Sequence, residues 1–148
     1  MLACISVIAI TKPHIYYVIK EKIDSWDIVF NKEDSDHTEE GFVIIKPQIP
    51  DGFTIVSEEA LEVDYFLSLE NANGENINYE QMLPEGTSIS IDSERLNNTT
   101  EMINGMEVVV SRDESFISLV FNDGEYIYQI DGNADEKLLR QMMMSVIE

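Results

Sequence analysis

The chain is poor in the residues that most enzyme chemistry needs. It has one cysteine, Cys4, in 148 residues, so an intramolecular disulfide is impossible. Cys4 sits in a terminal apolar run with no paired histidine, so a nucleophilic role is not expected. Histidine is almost absent: only His14 and His37 occur. His37 lies beside Asp34 and Asp36, but with no second histidine in reach these residues read as a solvated loop and not a metal site. There is no Gly-rich phosphate loop, no GxSxG and no HExxH. Basic residues are scarce too: nine Lys and Arg stand against 29 Asp and Glu, a net charge of −20. Such a chain repels nucleic acid and anionic lipid headgroups, which excludes DNA or RNA as partners.

A long hydrophobic run is also missing. Met1 to Ile10 is nearly uninterrupted apolar sequence, but ten helical residues span only about 15 Å of a roughly 30 Å hydrocarbon core. No basic region precedes it, so it is not an ordinary signal peptide. It reads either as a buried or interfacial terminal segment or as the end of a membrane anchor whose first half lies upstream, and Lys12 after the run favours the second. In residues 15–30, Ile15, Ile19, Ile23, Trp26 and Phe30 fall on one helical face, which predicts a helix. Tyr16, Tyr17 and Trp26 beside Lys20 and Lys22 suit a juxtamembrane position. Residues 1–30 are thus expected to be an apolar leader with a helix, and the polar, acidic residues 31–41 a linker.

What the chain does contain is core. At 44% hydrophobic and 9% aromatic it is no disordered acidic tail. The charge is uneven: Lys12, Lys20, Lys22 and Lys32 precede residue 33, whereas Lys46, Arg95 and Arg112 are the only bases from Glu33 to Glu136. From residue 42 the pattern is that of strands and tight turns. Pro47-Gln48-Ile49-Pro50-Asp51-Gly52-Phe53 reads as a rigid turn and Phe53 to Val56 as the start of a strand. Val63, Tyr65, Leu67 and Leu69 alternate along another strand. Hairpin turns are expected at 71–75, at Asn104-Gly105 and at Asn122-Asp123-Gly124. Ile77 and Tyr79 alternate in a return strand, and Ser88 to Ile91 is a short strand. The run Phe116 to Phe121 is apolar on both faces, as in a central strand covered on both sides. Asn133-x-x-Glu136 forms a capping box before a helix with the stripe Leu138, Leu139, Met142, Val146 and Ile147. Met142-Met143-Met144 reads as flexible packing of that helix on a sheet.

These elements predict an α+β domain over residues 42–148: an antiparallel meander of about six or seven strands with a C-terminal helix on one face. The EF-hand-like string Asp131-x-Asn133-x-Asp135 has Glu136 where the loop needs glycine and Met142 where it needs a bidentate glutamate. The carboxylates sit in turns or alternate outward on strands, where solvation is expected to keep their pKa ordinary. No catalytic, cofactor-binding or metal-binding residue is therefore assigned, no cofactor is expected, and the protein reads as a non-enzyme.

The C-terminal half also resembles a known family. Asn76-Ile77-Asn78-Tyr79-Glu80-Gln81, Ile91-Asp92-Ser93-Glu94, Ile103-Asn104-Gly105-Met106-Glu107, Leu119-Val120-Phe121-Asn122-Asp123-Gly124-Glu125-Tyr126 and the helix through Ser145-Val146-Ile147 are similar to the domain of unknown function 4367 family. Pro50-Asp51-Gly52-Phe53 fits its Pro-Glu-Gly-Phe turn. The similarity spans roughly residues 42–148. Phe121 replaces a usual Trp and Met143 a usual Ala, both apolar exchanges. The resemblance implies a Firmicute protein with a transmembrane helix before an extracytoplasmic domain, some relatives having an anti-sigma-factor-like cytoplasmic segment. It brings no catalytic or ligand residues. The expected function is a non-catalytic, extracytoplasmic sensory or regulatory domain of a membrane-tethered protein, with an unidentified protein or cell-envelope partner. The alternative is a soluble, cytoplasmic module that holds a peptide or protein on a sheet face or edge. A cation-dependent binder or enzyme is the remaining reading.

Overall fold

Period-two burial runs through most of the chain. The computed structural model describes residues 5–8, 15–32, 41–84, 87–94 and 96–147. Its strands are β1 (Ile5–Ile8), β2 (Ile15–Glu21), β3 (Ser25–Lys32), β4 (Phe53–Ala60), β5 (Asp64–Asn71), β6 (Asn76–Met82), β7 (Ser88–Asp92), β8 (Asn97–Ile103), β9 (Met106–Arg112), β10 (Ile117–Asn122) and β11 (Ile127–Gly132). One helix, α1 (Glu136–Ile147), closes the described chain.

The larger sheet has seven strands in the order β4-β5-β6-β11-β10-β9-β8. Two meanders, β4-β5-β6 and β8-β9-β10-β11, join where β11 pairs antiparallel with β6. The smaller sheet has the order β1-β2-β3-β7. Every pairing is antiparallel, as the expected α+β class with one C-terminal helix requires. Ser88 to Ile91 belongs to β7, which leaves the main sheet and pairs with β3, Trp26 opposite Ile91 and Ile28 opposite Ile89.

The helix expected over residues 15–30 is not formed; a β-hairpin takes its place. The residues explain why. Ile15, Tyr16, Tyr17, Val18 and Ile19 are all β-branched or aromatic, types that lose side-chain freedom on a helix and pack well on a pleated surface. Tyr17, Ile19, Ile28 and Phe30 are buried in period two, whereas Ile23, placed on the helical stripe, is 75% exposed in the turn. The turn closes with Lys22 N–H donating to Ser25 O at 2.8 Å. Within the apolar run 1–10, Ile5–Ile8 is a strand paired with β2. Residues 1–4 and 9–10, with Cys4, lie outside the described residues, as do His14, His37 and most of the expected linker, residues 33–40.

The seven-stranded sheet is covered on both faces, which builds two cores. On one face Leu139, Met142, Met143 and Val146 of α1 pack with Tyr65, Leu67, Tyr79, Leu119, Tyr128 and Ile130. On the other, Tyr17, Ile19, Ile28, Phe30, Ile89 and Ile91 of the small sheet meet Val109, Val120 and Ile127. All six residues of β10 are buried, as its two-faced apolar pattern predicts. Each large apolar side chain so enclosed contributes about 1.5–3 kcal/mol relative to exposure. The methionines act as core filler: Met142 and Met143 are fully buried.

Local signals operate at the turns. Asn104 and Gly105 both take positive φ, 53° and 78°, as a type I′ hairpin between β8 and β9 demands. The cap of α1 differs from the expected capping box. Asp135 Oδ1 accepts from Lys137 N–H at 2.8 Å, so Asp135 holds the helix start. Asn133 instead exchanges hydrogen bonds with Asn76: its Oδ1 accepts from Asn76 N–H at 2.7 Å, and its own N–H donates to Asn76 Oδ1 at 3.2 Å. A side chain shorter than one helical turn serves one end or the other, and here it ties the helix entry to β6.

Candidate functional site

Two strands end the large sheet, β4 and β8, and they are finished differently. β8 keeps four of its seven residues partly buried. β4 is exposed at every position after Phe53. Its backbone groups turned away from β5 meet no strand among the described residues. Four apolar side chains stand in water along this margin: Ile55 at 48%, Val56 at 57%, Leu61 at 56% and Val63 at 55% exposed. Val63, expected on the buried face of a strand, precedes β5 and joins this rim. A register shift between Ile55 and Ser57 makes Val56 a bulge, a common device for limiting edge pairing.

The edge carries its own charge arrangement. Glu58 Oε1 accepts from Lys46 Nζ and from Tyr65 O–H, each at 2.8 Å. Lys46 also lies 5.9 Å from the centre of the Tyr65 ring. The bond from Lys46, with that from Tyr65, holds the Glu58 carboxyl below the usual carboxylate range. Burial, then the Glu58 contact, pushes the Tyr65 phenol up to about 12. From Phe53 to Asn71 there are five acids (Glu58, Glu59, Glu62, Asp64 and Glu70) and no lysine or arginine.

Lys46 arrives on an irregular strap, residues 41–50, that crosses the helix side of the sheet. Side chains capture the strap backbone. The buried Gln81 amide accepts from Ile45 N–H and donates to Val43 O, both at 2.8 Å. Tyr79 O–H donates to Ile45 O at 2.6 Å, and Tyr126 O–H accepts from Val43 N–H at 2.9 Å. Ser145 Oγ accepts from Gln48 N–H at 2.9 Å. A backbone segment without a ladder must find such partners, and this explains polar side chains inside an otherwise apolar core.

The opposite face of β5, β6 and β11 is acidic. Glu80 reaches Asp64, and Asp131 adds to the field on it; burial first and these carboxylates second push the Glu80 carboxyl up to about 7. Asp64 Oδ1 is buried with no hydrogen-bond donor. Two acceptor-only groups are joined only through a proton, so Glu80 holds one near neutrality. Burial also raises Asp131, opposed by Asn78 Nδ2 donating to its Oδ1 at 3.1 Å. The expectation that solvation keeps these carboxylates ordinary is thereby corrected for Glu80 and Asp131: pairing across strands gathers acids that are far apart in sequence.

The same face carries a row of polar cross-strand partners, Ser68, Asn78, Asp131, Ser118, Ser111 and Asn98. Ser68 Oγ donates to Asn78 Oδ1 at 2.9 Å. The row ends at Ser111 Oγ and the Asn98 amide, which are buried without partners. A groove of about 780 Å³ lies between residues 48–51 and α1, lined among others by Gln48, Asp51, Lys137 and Arg140. Arg140 there pairs with Glu136 at 3.1 Å, and Arg112 bridges Glu101 and Glu136 at 3.0 and 2.8 Å.

The EF-hand-like string is dispersed: Asp131 faces the acidic cluster, Asn133 binds Asn76 and Asp135 caps α1. No group of three or more His, Cys, Asp or Glu among the described residues is arranged to hold a metal ion. The edge was hinted at by the surplus of acids between residues 53 and 71; the Glu80 cluster had no signal in a single strand.

Residues 44–146 match the family described as Domain of unknown function (DUF4367). The chain belongs to this family. No curated protein and no solved structure matches it. The family segment begins within the strap and ends in α1, so it contains the whole seven-stranded sheet, the acidic face and the β4 edge.

Proposed function

We propose that this member of the domain of unknown function 4367 family is a non-catalytic regulatory domain that holds a protein partner, and that it works outside the cytoplasm in a membrane-tethered protein. The observation that carries the binding role is the β4 edge, exposed along seven of its eight residues and flanked by Ile55, Val56, Leu61 and Val63. An uncovered edge is a template for strand addition, and exposed apolar side chains beside it supply contact area. The location rests on the sequence resemblance alone, because Ile5–Ile8 of the apolar run 1–10 is a strand paired with β2. No helix among the described residues is long and apolar enough to cross a membrane, so tethering falls to a segment outside them.

Fractionation of cells producing the protein from its natural gene, followed by protease treatment of intact cells, tests this. Recovery in the membrane fraction with the domain cut from outside supports the reading. Recovery wholly in the cytosol removes the extracytoplasmic role and leaves a soluble binding module.

A further inference from the structure

We propose that the β4 edge takes up an extended, cationic segment of a partner protein as an added strand, an inference that rests on the partner-binding reading and names the partner's chemistry. Three observations select that occupant. The first is the backbone. β4 has eight residues and, among the described residues, a strand neighbour on one side only, giving an edge of roughly 26 Å at about 3.3 Å per residue. The bulge at Val56 interrupts its register, so the regular stretch available for a ladder is Ser57 to Ala60 with the residues that follow. The incoming segment is therefore short, about five to seven residues.

The second is charge. The edge hairpin from Phe53 to Asn71 carries five acids and no base. Glu58, Glu59 and Glu62 are all exposed. Lys46 already shows the charge chemistry in cis: it comes from the irregular strap and places its ammonium 2.8 Å from Glu58 Oε1. A partner strand with a lysine or arginine beside Glu59 repeats that contact on the other face of β4 from Glu58, and Glu62, exposed in the turn that follows β4, draws the cationic end of the segment. Apolar residues of the segment meet Ile55 and Val56 along the strand and Leu61 and Val63 at the turn, which stand about half exposed.

The third observation disfavours a second copy of the chain. Antiparallel self-pairing centred on Ser57–Ala60 sets Glu58 of each copy against Glu59 of the other, and like charges directly opposite are destabilising. The net charge of −20 on each copy adds long-range repulsion. The edge is thus guarded against itself and open to a cation.

The test is a fluorescence anisotropy titration of the full chain against a labelled heptapeptide of alternating lysine and valine, acetylated and amidated. Saturable binding is expected. Two controls define the mode. A lysine–proline heptapeptide keeps the charge but lacks the strand's N–H donors at the proline positions, and it is expected to bind at least tenfold more weakly. The double variant Glu59→Lys/Glu62→Lys is expected to weaken the lysine–valine peptide at least tenfold. The variant Glu114→Lys/Glu125→Lys makes the same charge change at exposed turn positions either side of β10 and is expected to stay within twofold of the parent. Circular dichroism confirms that each variant is folded. Absence of binding overturns the proposal. So does equal binding of the proline peptide, or an equal loss in the two double variants, since either reduces the effect to surface charge alone. The titration involves no cells, so its failure leaves the extracytoplasmic reading intact, and a cytosolic location leaves the titration intact.

Discussion

Replacing Glu80 with glutamine isolates the cost of gathering carboxylates on one sheet face. Glutamine keeps the shape and can donate to Asp64 as the protonated acid does, but it never ionises. Burial and the neighbouring acids push the Glu80 carboxyl up to about 7 from an ordinary 4.5. The sign follows directly. The folded chain keeps a proton that the unfolded chain releases above about pH 4.5, so stability falls as pH rises from about 4.5 to about 7 and is flat beyond. That gap corresponds to about 3 kcal/mol at 1.36 kcal/mol per pH unit. Glu80 is partly exposed, and solvent screening reduces the figure to about 1–2 kcal/mol. Glu80→Gln is therefore expected to match the parent near pH 4.5 and to exceed it by about 1–2 kcal/mol at pH 8, or about 3–8 °C in Tm. Thermal melts of both proteins at the two pH values give the difference, and the many other acids cancel in it. An equal offset at both pH values, or a destabilised variant at pH 8, refutes the reasoning.

Four further substitutions probe separate joints. Gln81→Ala removes both hydrogen bonds that fasten the strap at Val43 and Ile45 and is expected to cost about 2–4 kcal/mol in urea unfolding; a loss under about 1 kcal/mol contradicts the strap's role. Gly132→Ala places a Cβ 2.1 Å from the Asn76 carbonyl oxygen, at φ +155°. Because backbone meets backbone, it is expected to cost about 3 kcal/mol or more, read by the same assay. Asp135→Ala should lose about 1 kcal/mol as a helix cap and slow no amide exchange; faster exchange of the first turn of α1 checks it, whereas Asn133→Ala is expected to leave that turn unchanged.

What the sequence shows of this fold depends on how local the cause is. The Asn104-Gly105 hairpin, the doubly buried Phe116 to Phe121 and the helix stripe around Met142 are written within a few residues, and each forms where expected. Residues 15–30 mislead because their apolar positions fit both periods. β-branched crowding and the pairing of β3 with β7, Val29 opposite Ser88 and Ser25 opposite Asp92, far apart in the chain, decide for strands. Asn133 looks like a cap until Asn76 arrives from β6 to compete for it. The acidic cluster needs Asp64, Glu80 and Asp131 from three strands, and only register brings them together. The β4 edge was legible only in its acids: Val63 reads as a buried strand residue until the structure exposes it, and which strand lacks a neighbour is a property of sheet order.

Hydrogen exchange at β4 tests the central claim most directly. With the full chain saturated by the lysine–valine heptapeptide, amides in Ser57–Ala60 that point away from β5 are expected to slow at least tenfold. Those of β8 and of residues 48–51 are expected to keep their rates. Unchanged exchange along β4, or protection appearing at β8 or beside α1 instead, contradicts the account.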